Sequence, residues 1–357
     1  RDLVRSRGLG DVYKRQIINH INKANATTET TLSVSGNLYN TNGTINTSAV
    51  TDFLNKLDFV TSGGTYTSPR IADNARVTAT NSFIFQMGYV VSNTGSMTTR
   101  PITWQAVYAR NGYLTIWMIK NYTTSDYNDK GYDVTPGSPF TTDYTDGPYE
   151  NHSNYSKSVL RDVTNNIYDL IAAKLNNFST IVRSPNEANA TWQATQTEDV
   201  YTWSSSYYDH HNGLQSYSGK YIGWAQNLWD SANPPYNDKF WIPSSVEVLN
   251  QTSGGSAQVN NGLWGLSATD RAFSTTRLDT GTSSSSNSSG NSNYCWLRSG
   301  YSRNSYHAMQ VDSSGSASGS SVGNSYGVRP ACHISLSALA NAASYTITAV
   351  SYTHLRA

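Results

Sequence analysis

The run from Tyr294 to Ser335, YCWLRSGYSRNSYHAMQVDSSGSASGSSVGNSYGVRPACHIS, limits what this chain can fold into more than any other stretch. Its ends are framework in character: Trp296, Leu297 and Arg298 open it, and Val328, Arg329, Pro330 and Ala331 close it. Between them Ser, Gly, Asn and Tyr dominate, with a few Arg, His and Asp, and too little aliphatic content remains to fill a core. A segment so poor in core residues, fenced by apolar strands, is expected to be displayed rather than buried. The rest of the chain is then the scaffold that holds it.

A chain of 357 residues can bury a sizeable core in one large domain or two smaller ones. Only 14% of it is charged, and its polarity comes from Ser, Thr, Asn and 25 Tyr rather than from Lys and Glu. That balance fits an exported, β-rich protein better than a cytosolic enzyme. Residues 1–16, RDLVRSRGLGDVYKRQ, and 350–357, VSYTHLRA, resemble translated sequencing-adapter read-through and are set aside from fold reasoning. They carry most of the basic excess, so the net charge of +1 becomes about −3 for the remainder, counted by the same rule. No basic patch for nucleic acid is left. No stretch approaches the roughly 18 consecutive apolar residues of a membrane helix. With the native start expected to be missing, a secreted, cell-surface or phage-particle location is compatible with the lack of a signal region.

In chain order, Ser48 is expected to cap a short helix with Val50, Phe53, Leu54 and Leu57 on one face, ended by Gly63-Gly64. Ser82 to Val91 and Ile102 to Tyr108 read as strands, and Asn111-Gly112 as the turn of a hairpin returning through Tyr113 to Ile119. Asp126 to Asn154 lacks periodicity and reads as a loop. Tyr155 to Asn176 has Val159, Val163, Ile167, Leu170, Ile171 and Leu175 at helical spacing. Trp192 to Asn237 is a long aromatic insert, in which packing against the domain is weighed above a sugar-stacking platform. Phe240 to Ile242 signals a buried strand, and Pro243, Ser244 and Glu247 start a second helix through Leu249. Gly262 to Asp270 reads as a turn or cap, and Asp279 to Ser292 as a flexible loop. A meander comes last, with strands Tyr294 to Arg298, Tyr306 to Val311 and Ser316 to Val322, closed by Val328 to Leu336.

Cys295 and Cys332 flank the displayed stretch, and two readings stand side by side: a cross-strand disulfide, or two buried free thiols. Neither has a second Cys or His at metal-ligand spacing. His210 and His211 are adjacent and would point apart on a strand. Asp143 with Asp146, and Glu198 with Asp199, lie in loops and read as solvated charge rather than as a glycosidase pair. No metal or cofactor is expected.

Trp296-Leu297-Arg298-Ser299, followed some thirty residues later by Tyr326-Gly327-Val328-Arg329-Pro330-Ala331, resembles the frame of bacterial C-type-lectin-like domains related to the formylglycine-generating-enzyme fold. Ile102 to Val107 is similar to that family's opening strand, Tyr155 to Leu170 to its first helix, Phe240 to Ser244 to the entry of its second, and Ser267 to Ala272 to the segment before its final sheet. The resemblance runs from about residue 80 to 340. It implies an α+β, C-type-lectin-like fold with two helices, an early β-hairpin, a C-terminal antiparallel meander and long loop insertions. The domain division expected is a non-native leader 1–16, a small segment 17–79 with one helix, a ligand-binding domain 80–340 and a tail 341–357. Within the family, the chain looks most like the variable proteins of diversity-generating retroelements of gut Firmicutes or their phages, in which adenines near the gene's 3′ end are rewritten. Mutated AAY codons yield Asn, Ser, Tyr, Asp, His, Gly, Arg, Thr, Ala and Cys, but not Lys, Glu, Trp, Gln or Met.

Tyr301, Arg303, Asn304, Tyr306, His307, Asp312, Ser316, Ser318, Ser320, Ser321 and Asn324 all belong to that set and are the expected ligand contacts; Met309 and Gln310 depart from it. Trp296, Arg298, Arg329 and Pro330 are the expected frame, with both arginines paired internally because an unpaired buried charge is costly. Ser, Gly and Asn are also what any exposed hairpin uses. The resemblance implies a non-enzymatic receptor or adhesin for an unknown protein or glycan. An invariant adhesion or glycan-binding module is the alternative. A formylglycine-generating type of enzyme is a distant third, since neither cysteine sits in its reactive pattern. The iron-binding HxxxHxE run and the calcium-lectin EPN, QPD and WND motifs are absent.

Overall fold

The computed structural model describes residues 31–57, 60–62, 65–67, 75–76, 82–92, 94–110, 112–119, 122, 155, 158–188, 201–202, 216–217, 220–221, 237–243, 245–248, 258–259, 264, 294–300, 307–312, 315, 317–324 and 326–345. The expected loops 126–154 and 279–292, nearly all of the insert 192–237, and the paired carboxylates and histidines weighed above lie outside them. So do both adapter-like ends.

β1 (Thr31–Asn37) leads into α1 (Thr47–Lys56). The cap is Asn46, not Ser48: from an extended backbone its side chain accepts the Ala49 amide at 3.2 Å, so Ser48 is already helical. Val50, Phe53, Leu54 and Leu57 are all buried. β2 (Val60–Ser62) and β3 (Thr65–Thr67) form a small antiparallel pair, and β4 (Ala75–Arg76) comes after them. β5 (Ser82–Val91), β6 (Met97–Arg110) and β7 (Tyr113–Met118) are the long strands. The hairpin at 111–112 forms, with Arg110 paired to Tyr113 and Gly112 at φ 78°, a conformation that favours glycine.

The next helix, α2 (Val159–Ala172), is shorter than the apolar periodicity predicts. Ser158 caps it by accepting the Arg161 amide at 3.1 Å, which leaves Tyr155 outside, buried, with its hydroxyl accepting from the Ile242 amide at 3.2 Å. Tyr155, in a 3-10 turn before the α-helix, and Leu175, whose amide still bonds to the Ile171 carbonyl, continue the pattern because both reach the same core. Gly43 approaches the C-terminal end of this helix so closely that a Cβ would sit 2.0 Å from the Lys174 carbonyl oxygen. α3 (Phe178–Ile181) and β8 (Val182–Arg183) come next. β9 (Tyr201–Thr202), β10 (Ser216–Tyr217), β11 (Lys220–Tyr221) and β12 (Gln258–Val259) make a separate four-stranded ladder, and α4 (Ser245–Val248) is the described part of the helix expected through Leu249, which itself lies outside the described residues. β13 (Cys295–Gly300), β14 (His307–Val311) and β15 (Ala317–Ser321) form a three-stranded antiparallel sheet. β16 (Ala331–Ser335) and α5 (Leu336–Ala342) end the described chain.

The large sheet has seven strands in the order β1-β5-β6-β7-β16-β8, with β4 beside β6. Strand alternation gives it two unlike faces. Phe83, Phe85, Trp104, Ala106, Ile116, Cys332 and Ile334 succeed one another across the ladders on one face. The helices cover it: Phe53 of α1 packs on Phe83 and Phe85, and Tyr168 of α2 on Phe240, which meets Trp104. Gln105, Thr115, Trp117 and His333 lie on the other face, under Trp241 and Trp264. The class is α+β.

Two expectations about organisation change. β16 does not close the meander. It leaves the small sheet and enters the large one between β7 and β8, because its partners Tyr113–Trp117 lie some 220 residues earlier in sequence, where no local pattern reveals them. Also, β1 and α1 precede residue 80 yet belong to the same sheet and the same core as the later strands, with β1 pairing parallel to β5. α5, capped by Ser335 accepting the Ala338 amide at 3.2 Å, was not expected.

Candidate ligand-binding face

The segment 326–331 is the joint between the two sheets. Gly327 bridges in parallel to Cys295: its amide donates to the Tyr294 carbonyl at 2.8 Å and its carbonyl accepts the Trp296 amide at 3.1 Å. Three residues on, the Pro330 carbonyl accepts the Met118 amide, and Ala331 exchanges two backbone bonds with Trp241. One short run of chain thus ties β13, β7 and the Trp241 segment together.

The four frame residues sit at this joint. Trp296 is fully buried, its ring 4.6 Å from that of Tyr326, which in turn stacks 5.0 Å from Tyr294. Arg298 is buried against Glu247 of α4, donates from the same nitrogen to the Ile242 carbonyl at 2.9 Å, and lies 5.7 Å above the Trp241 ring. Arg329 is equally buried. Its guanidinium covers the Trp117 ring at 3.7 Å, its Nε donates to the Met118 carbonyl at 2.9 Å, and its own carbonyl accepts the Trp117 indole N–H at 2.9 Å. Pro330, next to Arg329 in the chain, is buried as well. Both arginines are therefore held inside the protein, where each satisfies several polar groups and neither is available to a ligand.

On the small sheet, Cys295, Leu297, Met309 and Val311 are buried, and so are Trp296, Ala308 and Gln310 on the opposite parity. Among the described side chains, exposure rises at Asp312, in β15 and in the turn after it. Ser318 is exposed, Ser320, Ser321 and Asn324 are half-buried, and Asp312 is half-buried at the end of β14. Two of these hydroxyls are held from beneath: Gln310 Nε2 donates to Ser318 Oγ at 2.5 Å, and Ser320 Oγ lies 2.6 Å from the Tyr326 hydroxyl. Asn324 Nδ2 completes the second contact, donating to Ser320 Oγ at 2.9 Å and to the Tyr326 hydroxyl at 3.2 Å. Gln310 and Tyr326 were not among the expected site residues. Tyr326 could have been found as the first residue of the closing motif; nothing in the sequence marks Gln310 beyond its misfit to the codon set. Tyr301, Arg303, Asn304, Tyr306 and Ser316 lie outside the described residues, and His307 is described only in its backbone.

The chemistry on view is hydroxyl, carboxamide and aromatic. Cys295 and Cys332 are free and lie in different sheets, so the buried-thiol reading is the one the structure supports. Burial pushes both thiols up, Cys332 well above its usual value and Cys295 less so, with Arg329 opposing the rise. Neither is poised as a nucleophile. His333 Nδ1 lies 2.9 Å from Thr115 Oγ1, and desolvation lowers its pKa to about 3. Among the described residues no three His, Cys, Asp or Glu side chains cluster as a metal site, and no helix is long and apolar enough to cross a membrane.

A domain of unknown function, DUF6273, matches residues 221–336, about a third of the chain. The matched span takes in α4, the small sheet, the joint and β16, so the architecture around the candidate face is what this chain is similar to in that family. No curated protein and no solved structure matches.

Proposed function

We propose that this is a non-enzymatic binding protein, a receptor or adhesin with a C-type-lectin-like frame, whose small sheet and its connections present a face diversified by a retroelement. The supporting observation is how the two misfits to the codon set and the described members of the expected contacts divide by burial, with Ala308, which fits the set and is buried, as an exception. Met309 and Gln310, which fall outside the set reachable from mutated asparagine codons, are buried at 2% and 4% exposure. Asp312, Ser318, Ser320, Ser321 and Asn324, which fall inside it, are half-buried or exposed. A mechanism that varies surface residues while sparing the core needs such a division, since substitutions that change core volume are costly whereas exposed ones are nearly neutral. The face works without metal, and a Tyr, Ser, Asn and Arg surface on a rigid floor suits recognition of protein or glycan at low entropic cost. A secreted, cell-surface or phage-particle location goes with that role.

The test is genomic first: the intact gene should lie beside a reverse transcriptase and a template repeat differing from it at adenines. Relatives with identical residues throughout 301–324 would sink the diversification reading. Protein chemistry supplies the second test. Replacing Tyr301, Arg303 and Tyr306 together with Ala should leave the melting temperature within a few degrees of the parent while changing ligand binding; a large loss of stability would place them in the core.

A further inference from the structure

We infer that Gln310 is a constant positioning residue beneath position 318: its carboxamide can meet either a donor or an acceptor there, so that position can change polarity without stranding a buried group. That residue 318 varies is the reading given above, on which this rests. Gln310 and Ser318 are direct partners in the β14–β15 ladder, and Trp296 is the partner of Gln310 on its other side. The three form one row across one face of the small sheet. Burial falls along it, from Trp296 with no exposed surface, through Gln310 at 4%, to Ser318, which is exposed. Gln310 Nε2 donates to Ser318 Oγ at 2.5 Å. The other end of the same carboxamide, Oε1, is buried and meets no partner among the described residues. Gln310 therefore spends its donor on Ser318 and keeps an acceptor beside it, and half a turn about its last side-chain bond exchanges the two.

The group at risk is Gln310 rather than its neighbour. An exposed side chain at 318 can turn to water; a carboxamide at 4% exposure cannot, and a buried donor left without a partner is costly. Among the residues reachable from a mutated asparagine codon, Asp brings only acceptors, Arg only donors, and Ser, Thr and Asn bring both. A carboxylate at 310 would repel Asp and a cation there would repel Arg. A carboxamide suits all five, and Gln lies outside the set that rewriting produces. Tyr326 repeats the arrangement under position 320. It is 7% exposed, its hydroxyl can donate or accept, and it lies 2.6 Å from Ser320 Oγ, whose ladder partner Ala308 has no polar side-chain atom to offer.

The experiment replaces Ser318 in the full chain by Asn, Asp, Arg and Ala, in three backgrounds: the parent, Gln310→Met, which roughly keeps the volume and removes both polar atoms, and Gln310→Glu. Melting temperatures are read at pH 7. The Gln310→Met series carries the same strand propensities at 318 and serves as the baseline. Relative to it, Ser, Asn, Asp and Arg in the parent should agree within about 2 °C, and Ala should melt a few degrees lower, because Ala alone leaves the carboxamide unmatched. In the Gln310→Glu background that tolerance should be gone, with Arg melting above Asp. Should Gln310→Glu fail to fold, the other two series still decide. An Ala deficit equal in the parent and in Gln310→Met, or Asp or Arg as poor as Ala in the parent, would overturn the inference. These measurements read the chemistry at 310 whatever lies beside the gene. The inference can therefore fail while the diversified-face reading stands, and a missing template repeat would sink that reading without moving a melting temperature.

Discussion

Trp296 has no exposed surface and packs against Tyr326 at the joint between the sheets. Its replacement by Ala should cost about 3–5 kcal/mol, read from denaturant unfolding, through lost burial and the cavity left behind. Arg298 and Glu247 present a different balance of forces. Both are buried, and removing either takes from the other its partner in this ion pair, so Arg298→Met or Glu247→Gln alone should destabilise by about 3–5 kcal/mol. The double change Arg298→Met with Glu247→Leu should cost clearly less than the sum, since both charges of the pair are then removed together; additive losses would show that the two do not act as a pair. His333 makes stability depend on pH. Its pKa of about 3 in the folded protein lies below the usual 6.5, so the unfolded chain takes up a proton that the folded one refuses. The stability from keeping it neutral is complete above pH 6.5 and is lost as pH falls toward 3, at up to about 1.4 kcal/mol per pH unit. Urea unfolding of His333→Gln at pH 7 and pH 4.5 should show a smaller drop than the parent; an equal drop would mean that other groups account for it.

At the scale of elements, legibility tracked how local the cause was. The hairpin at 111–112 and the buried stripe of α1 were readable because turn chemistry and apolar spacing act within a few residues. Helix ends were less so. Asn46 took the cap expected of Ser48, and Tyr155 falls outside the α-helix, its hydroxyl accepting from the Ile242 amide 87 residues away. The three strands of the small sheet fall close to their expected limits, but their exposure does not obey alternation, since both parities of β13 are buried. The sequence marks eleven display positions alike. The structure separates Ser318, exposed but held by Gln310, from Ser320 and Asn324, which are bound up with Tyr326 and serve the frame as much as the face.

For the whole molecule, the decisive connections are the longest ones. β1 pairs with β5 and α1 places Phe53 on Phe83 and Phe85, so a chain beginning at residue 80 should lack one sheet edge and part of the core. Such a truncation is expected to lose cooperative unfolding or to aggregate; a stable, soluble product with a sharp transition would restore residues 31–57 to the status of an appendage. The amino-acid sequence by itself determined α1, α2, the hairpin of β6 and β7, the three strands of the small sheet, and that Trp296, Arg298, Arg329 and Pro330 are buried framework, because propensity, periodicity and side-chain solubility are properties of a residue and its near neighbours; it did not show α5, nor that Ala308 to Val311, inside the stretch expected to be displayed, belong to the core. Only the tertiary structure decided that β16 belongs to the large sheet, that Cys295 and Cys332 stay apart as free thiols, and that Gln310 and Tyr326 hold the displayed edge. Those outcomes depend on which distant surfaces meet, and hydrogen-bond and packing partners hundreds of residues apart leave no periodic trace in the chain that connects them.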